Sequence, residues 1–430
     1  MSIKKIIIVG GGAGGLELAT TLGKKVGKSN QASITLVDKN VYHLWKPLLH
    51  EIATGTLNDA LESVNYLAHS QKNHYKFKQG ELIDIDRDNK TIKIAAVFDK
   101  NNNEISPEVE LSYDYLVIAI GSTSNDFATP GVKENCLFLD DQNAAINFRQ
   151  NLLSTFYRYS SGLESKPTLD IAIVGAGATG VELTTELFNM VKKLGSYGFN
   201  KLDTSLLNIT LIEATDRILP ALPEKASNNI QKELEKLGAK VLVKTRIVKA
   251  DESHFYPEGQ DPIKADILLW TAGVKAPDFL KNIAGLETNR VNQLNIKPTL
   301  QTTLDDSILV IGDSASLPKA EGGMVPATAQ AAHQMANICS KNLIALIKNK
   351  KLQPFNYDNK GTIISLANTA QGVVKTVGKN QLGITGWLAH LIYKMLYRMH
   401  QVSVLGICKT CRLIRASKVY QSIKPKINIE

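Results

Sequence analysis

Three short stretches of this 430-residue chain hold residue types whose spacing suits chemistry: Gly10-x-Gly12-x-x-Gly15, Gly175-x-Gly177-x-x-Gly180, and the cluster Gln330, His333 and Gln334. In a strand–turn–helix unit, the first glycine of such a motif permits a sharp turn. The second lets the backbone approach a pyrophosphate, and the third lets helix and strand pack closely. The anion then rests on the helix N-terminus, where free N–H groups and the helix dipole attract it. Asp38 and Glu213 end the strands that answer the two motifs, and each is placed to accept hydrogen bonds from a ribose hydroxyl. The gap to Glu213 is longer than usual and is attributed to an insertion around "KKLGSYGFNKL". One such motif can be a plain glycine-rich turn; two complete copies argue against that.

Two dinucleotide folds on one chain suggest a flavin plus a nicotinamide. Asp313, after Gly312 at the end of a buried run, can hold the ribityl chain of a flavin or simply cap the next helix. Glu213 favours NADH, because a carboxylate accepts from a 2′-hydroxyl and repels a 2′-phosphate; Arg217 nearby weighs the other way. The region "NVYHLWKPLLHEIATG" holds no cysteine, which removes a dithiol acceptor and leaves a quinone, an iron–sulfur protein or oxygen. If "PATAQAAHQMANIC" is helical, Gln330, His333 and Gln334 share one face. Their amides could orient quinone carbonyls and the His could relay a proton, or the face could be ordinary solvated surface.

The elements that must position these groups are short β-branched runs alternating with helical patterns. "KKIIIV" and "ASITLVD" frame the first motif, "DIAIV" and "NITLIEA" the second, and 113–122, 265–274 and 307–316 return as further buried runs. The expected class is α/β, with two Rossmann-like dinucleotide-binding domains and a C-terminal amphipathic helical region. The FAD-binding domain is expected at 1–125 with 290–345, the NADH-binding domain at 150–285, and membrane association at 346–430.

The net charge of +9 is uneven: residues 359–429 contain eleven Lys and Arg and no Asp or Glu. Interleaved apolar residues favour an anionic membrane surface over nucleic acid. In 387–415, His390, Lys394, Arg398 and Gln401 form a polar stripe beside Leu388, Leu391, Ile392, Met395, Leu396 and Met399. A core helix is the default for such a pattern. Lys394 and Arg398 argue against a span, and a foot lying on the membrane would set Trp387, Tyr393 and Tyr397 near the headgroups. Cys136 and Cys339 are expected in the interior. Cys408-x-x-Cys411 supplies only two of the four ligands of structural zinc, so no metal is expected. A strand pattern from Lys5 leaves no evident room for a targeting leader.

The segments "VGGGAGGLELAT", "HLWKPLLHEIATG", "IAIVGAGATGVEL", "AGVKAPDFL", "LETNRVNQL" and "AQAAHQMA" resemble the type II NADH:quinone oxidoreductases nearly end to end, above all the enterobacterial respiratory form. That resemblance implies an FAD enzyme that oxidises NADH and reduces ubiquinone or menaquinone without pumping protons. It implies a homodimer on the cytoplasmic face of the inner membrane. It assigns Gln330 and Gln334 to the quinone site, Glu182 to proton handling or nicotinamide positioning, and Lys46 to a flavin contact. For Glu182 the alternative is a first-turn carboxylate favoured by the helix dipole. Leu82, Gly121 and Gly273 complete the expected cofactor-binding set, with His333 beside the catalytic glutamines. Two other readings stay open: a soluble NADH reductase of a ferredoxin-like carrier, and a flavin-binding interaction protein.

Overall fold

The structure, a computed structural model, describes residues 3–199, 202–375, 381–425 and 427–428; Lys379, Lys426 and Glu430 of the tail lie outside the described residues. Strand β1 (Lys4–Val9) enters helix α1 (Ala13–Leu22), followed by β2 (Ala32–Asp38), the short helix α2 (Leu49–Ala53), β3 (Lys76–Gln79) and β4 (Tyr115–Ile118). Helix α3 (Gln142–Ser161) leads to a second unit: β5 (Leu169–Val174), α4 (Ala178–Gly195), β6 (Leu207–Ile212), β7 (Lys240–Leu242) and β8 (Ile267–Trp270). The chain returns through β9 (Ile308–Val310) to helix α5 (Ala329–Ile347). Strands β10 (Gly361–Leu366), β11 (Thr369–Lys375) and β12 (Gln381–Thr385) then precede α6 (Gly386–Leu405) and α7 (Ile407–Ile423).

Two parallel sheets organise the molecule. The first has the order β9-β4-β1-β2-β3 and the second β7-β6-β5-β8. Ile6, Ile7, Ile8 and Val9 are all buried, so β1 shows no alternation. That is the signature of a strand covered on both faces. Because β9 pairs with β4, the run "SILVIGD" belongs to the first sheet although it follows the second unit in sequence. Strands β10 to β12 form a separate antiparallel sheet, against which α6 packs.

Helix α6 corrects one expectation. Of its polar stripe Lys394 stays exposed, but the part from Tyr397 to Gln401 is turned inward. Tyr397, His400 and Gln401 are buried, and Arg398 reaches Glu62, itself only 4% exposed. Glu62 also accepts from Tyr397 Oη at 3.0 Å and Gln401 Nε2 at 2.7 Å. The apolar side, Leu388, Leu391, Met395, Leu396, Met399 and Val402, is exposed, and Trp387 is 75% exposed. Tyr397 therefore lies inside the protein rather than at a headgroup level. Among the described residues no helix is long and apolar enough to cross a membrane.

Candidate functional site

Each glycine loop shows the three roles the motif requires. Gly10 has φ +100°, and a Cβ there would lie 2.4 Å from the Ala119 carbonyl oxygen. At Gly15 a Cβ would lie 1.8 Å from the Gly10 oxygen, whereas at Gly12 nothing lies within 4 Å. The second loop repeats this: Gly175 has φ +103° with Ala272 N at 2.6 Å, Gly180 meets the Gly175 oxygen at 2.0 Å, and Gly177 is open. The open second glycine at each helix N-terminus is a cradle that any side chain would fill, and it fits a pyrophosphate. Asp38 accepts from the Gly11 and Asn40 N–H groups at 2.6 and 2.8 Å. Glu213 does the same with Ala176 and Thr215, at 3.0 and 2.9 Å. Burial lifts the Asp38 carboxyl above its usual range, and its two backbone donors work against that rise.

A second group gathers at the end of the first sheet. Lys46 Nζ donates to the Ser122 carbonyl at 2.6 Å, and Ser122 Oγ donates to Asp313 at 2.7 Å. Ser314 Oγ donates to the Gly121 carbonyl at 2.9 Å, and the Gly121 Cβ position, at φ +78°, is open. Burial raises Asp313, opposed by Ser122 and by the charge of Lys46. Lys46, Gly121 and Asp313 thus come together, joined by Ser122, which sequence reasoning missed. Gly273, at φ +66°, accepts at its carbonyl from Asn125 N at 3.3 Å, and a Cβ there would lie 2.5 Å from the Phe127 ring. Leu82 is 2% exposed and shares the core with Ile94.

On α5 the structure again departs from expectation. Gln330 Oε1 accepts from Tyr357 Oη at 3.0 Å and Lys360 N at 2.8 Å, and its Nε2 donates to Gly361 O at 3.3 Å. Gln334 exchanges two bonds with the Asp358 main chain, at 2.8 and 3.0 Å. Both amides are engaged in fastening segment 357–361, the stretch that leads into β10. They do not point free amides at a ligand. His333 Nδ1 lies 2.5 Å from Glu17, and Glu17 also meets His400 Nδ1 at 2.7 Å. His400 Nε2 faces His43 Nε2 at 2.9 Å, and His43 Nδ1 lies 2.9 Å from the Gly11 carbonyl. A carbonyl only accepts, so His43 carries its proton on Nδ1 and its Nε2 accepts a hydrogen bond from His400 Nε2–H. Burial pushes His43 down to about 3. Burial pushes Glu17 up, but its bonds to His333 and His400 outweigh that and lower it.

Glu182 is buried in the second turn of α4, which removes the first-turn dipole explanation. Its Oε1 accepts from Ser365 N at 2.9 Å, and its Oε2 lies 3.6 Å from His50 Nδ1. Burial raises its carboxyl well above the usual range.

Cys136 and Cys339 are buried, whereas Cys408 and Cys411 are exposed free thiols on α7. Among the described residues no group of three His, Cys, Asp or Glu is placed to hold a metal. Replacing Cys408 and Cys411 together with serine is expected to leave NADH oxidation and bound zinc unchanged, checked by turnover and elemental analysis.

Two parallel sheets, each ending in an open glycine cradle with a carboxylate at the neighbouring strand end, define a two-dinucleotide flavoprotein. Residues 4–336 match the pyridine nucleotide-disulphide oxidoreductase family, to which the chain belongs. It is similar to the type II NADH:quinone oxidoreductase of Haemophilus influenzae, 46% identical over 443 aligned residues covering 99% of this chain and 100% of that one. It is also similar to the Staphylococcus aureus protein of the same name, 31% identical over 87% of this chain and 90% of that one. Within its family the chain is thus a type II NADH:quinone oxidoreductase, an enzyme that uses FAD and NADH. In fold it is like NDH2 from Plasmodium falciparum in complex with NADH, with TM-score 0.82, 19% identity and full coverage of both chains. The sulfide:quinone oxidoreductase of Aquifex aeolicus is also alike, with TM-score 0.73, 17% identity, and 93% and 91% coverage.

Proposed function

We propose that the enzyme works from a membrane surface, with α6 and α7 as its foot. The apolar face of α6 supports this: it is turned outward while Arg398 and Gln401 are latched inside and Lys394 stays exposed, the reverse of a soluble helix. On α7, Ile407 and Ile423 are 68% and 77% exposed beside exposed Lys409, Arg412, Arg415 and Lys418. A soluble carrier reductase has no use for such a face, and the charges suit anionic lipid on the cytoplasmic side. A homodimeric state rests on the family resemblance.

In this reading 1–125 with 290–345 hold FAD and 150–285 receive NADH. Gly12 and the α1 N-terminus cradle the FAD pyrophosphate and Asp38 takes the ribose. Asp313, Lys46 and the Gly121 backbone line the flavin end. Gly177 and Glu213 do the same for NADH. Bound FAD supplies two-electron chemistry between the nicotinamide and the quinone. The protein's share is to hold the reacting groups close, at about 3–3.5 Å, and to exclude water. Gln330 and Gln334 act by fixing segment 357–361 against α5, and His333 by bonding Glu17.

Purified protein is expected to oxidise NADH with a short-chain quinone as acceptor; absence of turnover with every quinone tried overturns the assignment of acceptor. Because α6 contributes Val404 and the segment after α7 contributes Ile427 to the cores, the informative variant keeps the chain whole and replaces Lys409, Arg412, Arg415 and Lys418 with glutamine. It takes away four exposed cations worth about 1 kcal/mol each at an anionic surface, so binding to phosphatidylserine vesicles should weaken at least about 100-fold. Undiminished co-sedimentation with vesicles would place the foot elsewhere.

A further inference from the structure

Quinone reduction needs two hydrogens, and NADH brings one with its electron pair. The other comes from water through the protein. The structure contains a set of groups suited to this that the nucleotide sites do not use. Glu182 and Glu186 lie one turn apart on α4, and both are buried. Helix α2 packs across them, bringing His50 and the partly buried Glu51. His50 is 1% exposed, and its Nε2 has no hydrogen-bond partner. With Nε2 unpartnered, the ring's hydrogen bond to the Pro47 backbone is made by Nδ1–H, and Glu182 lies 3.6 Å from that same nitrogen; Nε2 is left as a bare acceptor that asks for a donor, such as a water or a quinol hydroxyl.

The charged and titratable groups facing this set are Glu62 and His50, Lys193 on α4, and Tyr393 and Lys394 on α6. Three carboxylates that share one poorly solvated space cannot all ionise. Burial first, then the charge of Glu186, pushes Glu51 up to about 8; burial likewise raises Glu182 and Glu186, the latter opposed by a 3.0 Å bond from Asn189. The position also fits. The turn that opens α2 begins at Lys46, which reaches the Ser122–Asp313 pair, so α2 runs from the flavin end to the acids. On the far side is α6, whose outward face is the apolar one.

We propose that Glu51 and Glu186, together with Glu182, form a proton store that delivers the second hydrogen to the quinone. In the step, a carboxylic O–H bond breaks and a quinol O–H bond forms. The electron pair and the first hydrogen originate in NADH, and the carboxylate left behind takes a proton from water. Glu51 and Glu186 act through Glu182 or a water on His50, as positioning and relay residues. This rests on the enzyme being a quinone reductase.

The test uses full-length holoenzyme in phospholipid vesicles with two acceptors. Ubiquinone-1 takes up protons, and ferricyanide takes electrons without them. If the wild-type enzyme reduces ferricyanide but not quinone, the assigned function fails before any variant is made. Otherwise Glu51→Gln and Glu186→Gln should each lower the ratio of quinone to ferricyanide turnover about tenfold, less than the roughly 100-fold or more lost with a direct proton donor, because each acts through another group. Glu51→Asp should restore most of the Glu51→Gln loss. A donor acts while protonated, so the wild-type ratio should be full below about 8 and fall as pH rises through it. That limb should move in Glu51→Asp and vanish in Glu51→Gln. A ratio within about twofold of wild type across the pH range, or an unmoved limb in Glu51→Asp should Glu51→Gln not fold, overturns the proposal. Parallel loss of both activities, with the ratio preserved, assigns the acids a structural role and overturns it as well.

Discussion

Gly12→Val should yield a folded, colourless protein with no NADH oxidation, whereas Gly177→Val should yield a folded, yellow protein that NADH cannot reduce. The two loops have the same geometry: a Cβ at either second glycine meets no protein atom within 4 Å. A branched side chain there fills only the space in which a pyrophosphate would sit. The fold is spared and the ligand is excluded. A lost phosphate cradle should weaken binding about 100-fold or more, on the order of 3 kcal/mol. The third glycines must behave differently. A Cβ at Gly15 or Gly180 would lie 1.8 or 2.0 Å from a backbone oxygen of its own loop, which no rotamer change relieves. Gly15→Val and Gly180→Val should therefore damage the fold itself. Circular dichroism, visible absorbance and NADH bleaching of the four purified variants separate these outcomes. Retention of FAD by Gly12→Val, or full NADH reduction of Gly177→Val, would contradict the assignment of one loop to each nucleotide.

Glu62→Ala is expected to release α6. Glu62 accepts from Tyr397, Arg398 and Gln401 on that helix, and its side chain is 2% exposed. Removing one partner of a buried charged pair typically costs about 3–5 kcal/mol, because the other partner is left without compensation. Arg398 is 27% exposed and can turn toward water, which places the loss toward the lower end. Tyr397 and Gln401 cannot turn outward without carrying the apolar face inward. A chain with several cores does not unfold in one step, so a single melting temperature is a poor reporter. Hydrogen exchange is the better one: amides of α6 should exchange about 100-fold faster or more in Glu62→Ala, while β1 and β5 keep their protection. Arg398→Ala should show a smaller effect on the same amides. Unchanged α6 protection in Glu62→Ala would show that the helix is held by Val404 and its packing on β11 instead.

The nucleotide loops were legible because their logic is local. Strand, turn and helix follow within about twenty residues, and the glycine spacing reports backbone constraints that hold in any context. The return of 307–316 to the first sheet was legible from its β-branched run ending in Gly-Asp, and β9 does pair with β4. The α5 face was read only in part. Helical spacing put Gln330, His333 and Gln334 together, but it could not show that main-chain groups 24–31 residues later would occupy both amides. The surroundings of Gly273 and Leu82 were hidden for a similar reason: Phe127 stands where a Cβ of the one would go, and the core takes the side chain of the other. The acids beside Glu182 went unremarked because Glu51 and Glu186 stand in amphipathic segments where a carboxylate is ordinary.

Helix α6 marks the boundary between the two kinds of knowledge. Its composition and 3.6-residue period determined that one face would be apolar and the other polar, and the glycine motifs determined two nucleotide folds. Which face of α6 looks outward was undetermined, since a period is unchanged by rotating the helix about its axis. Tertiary structure decided it by setting Glu62 and Glu17, more than 330 residues earlier, under that helix. Buried carboxylates demand donors, so Tyr397, Arg398, His400 and Gln401 turned in, Lys394 stayed out, and the apolar face was left at the surface.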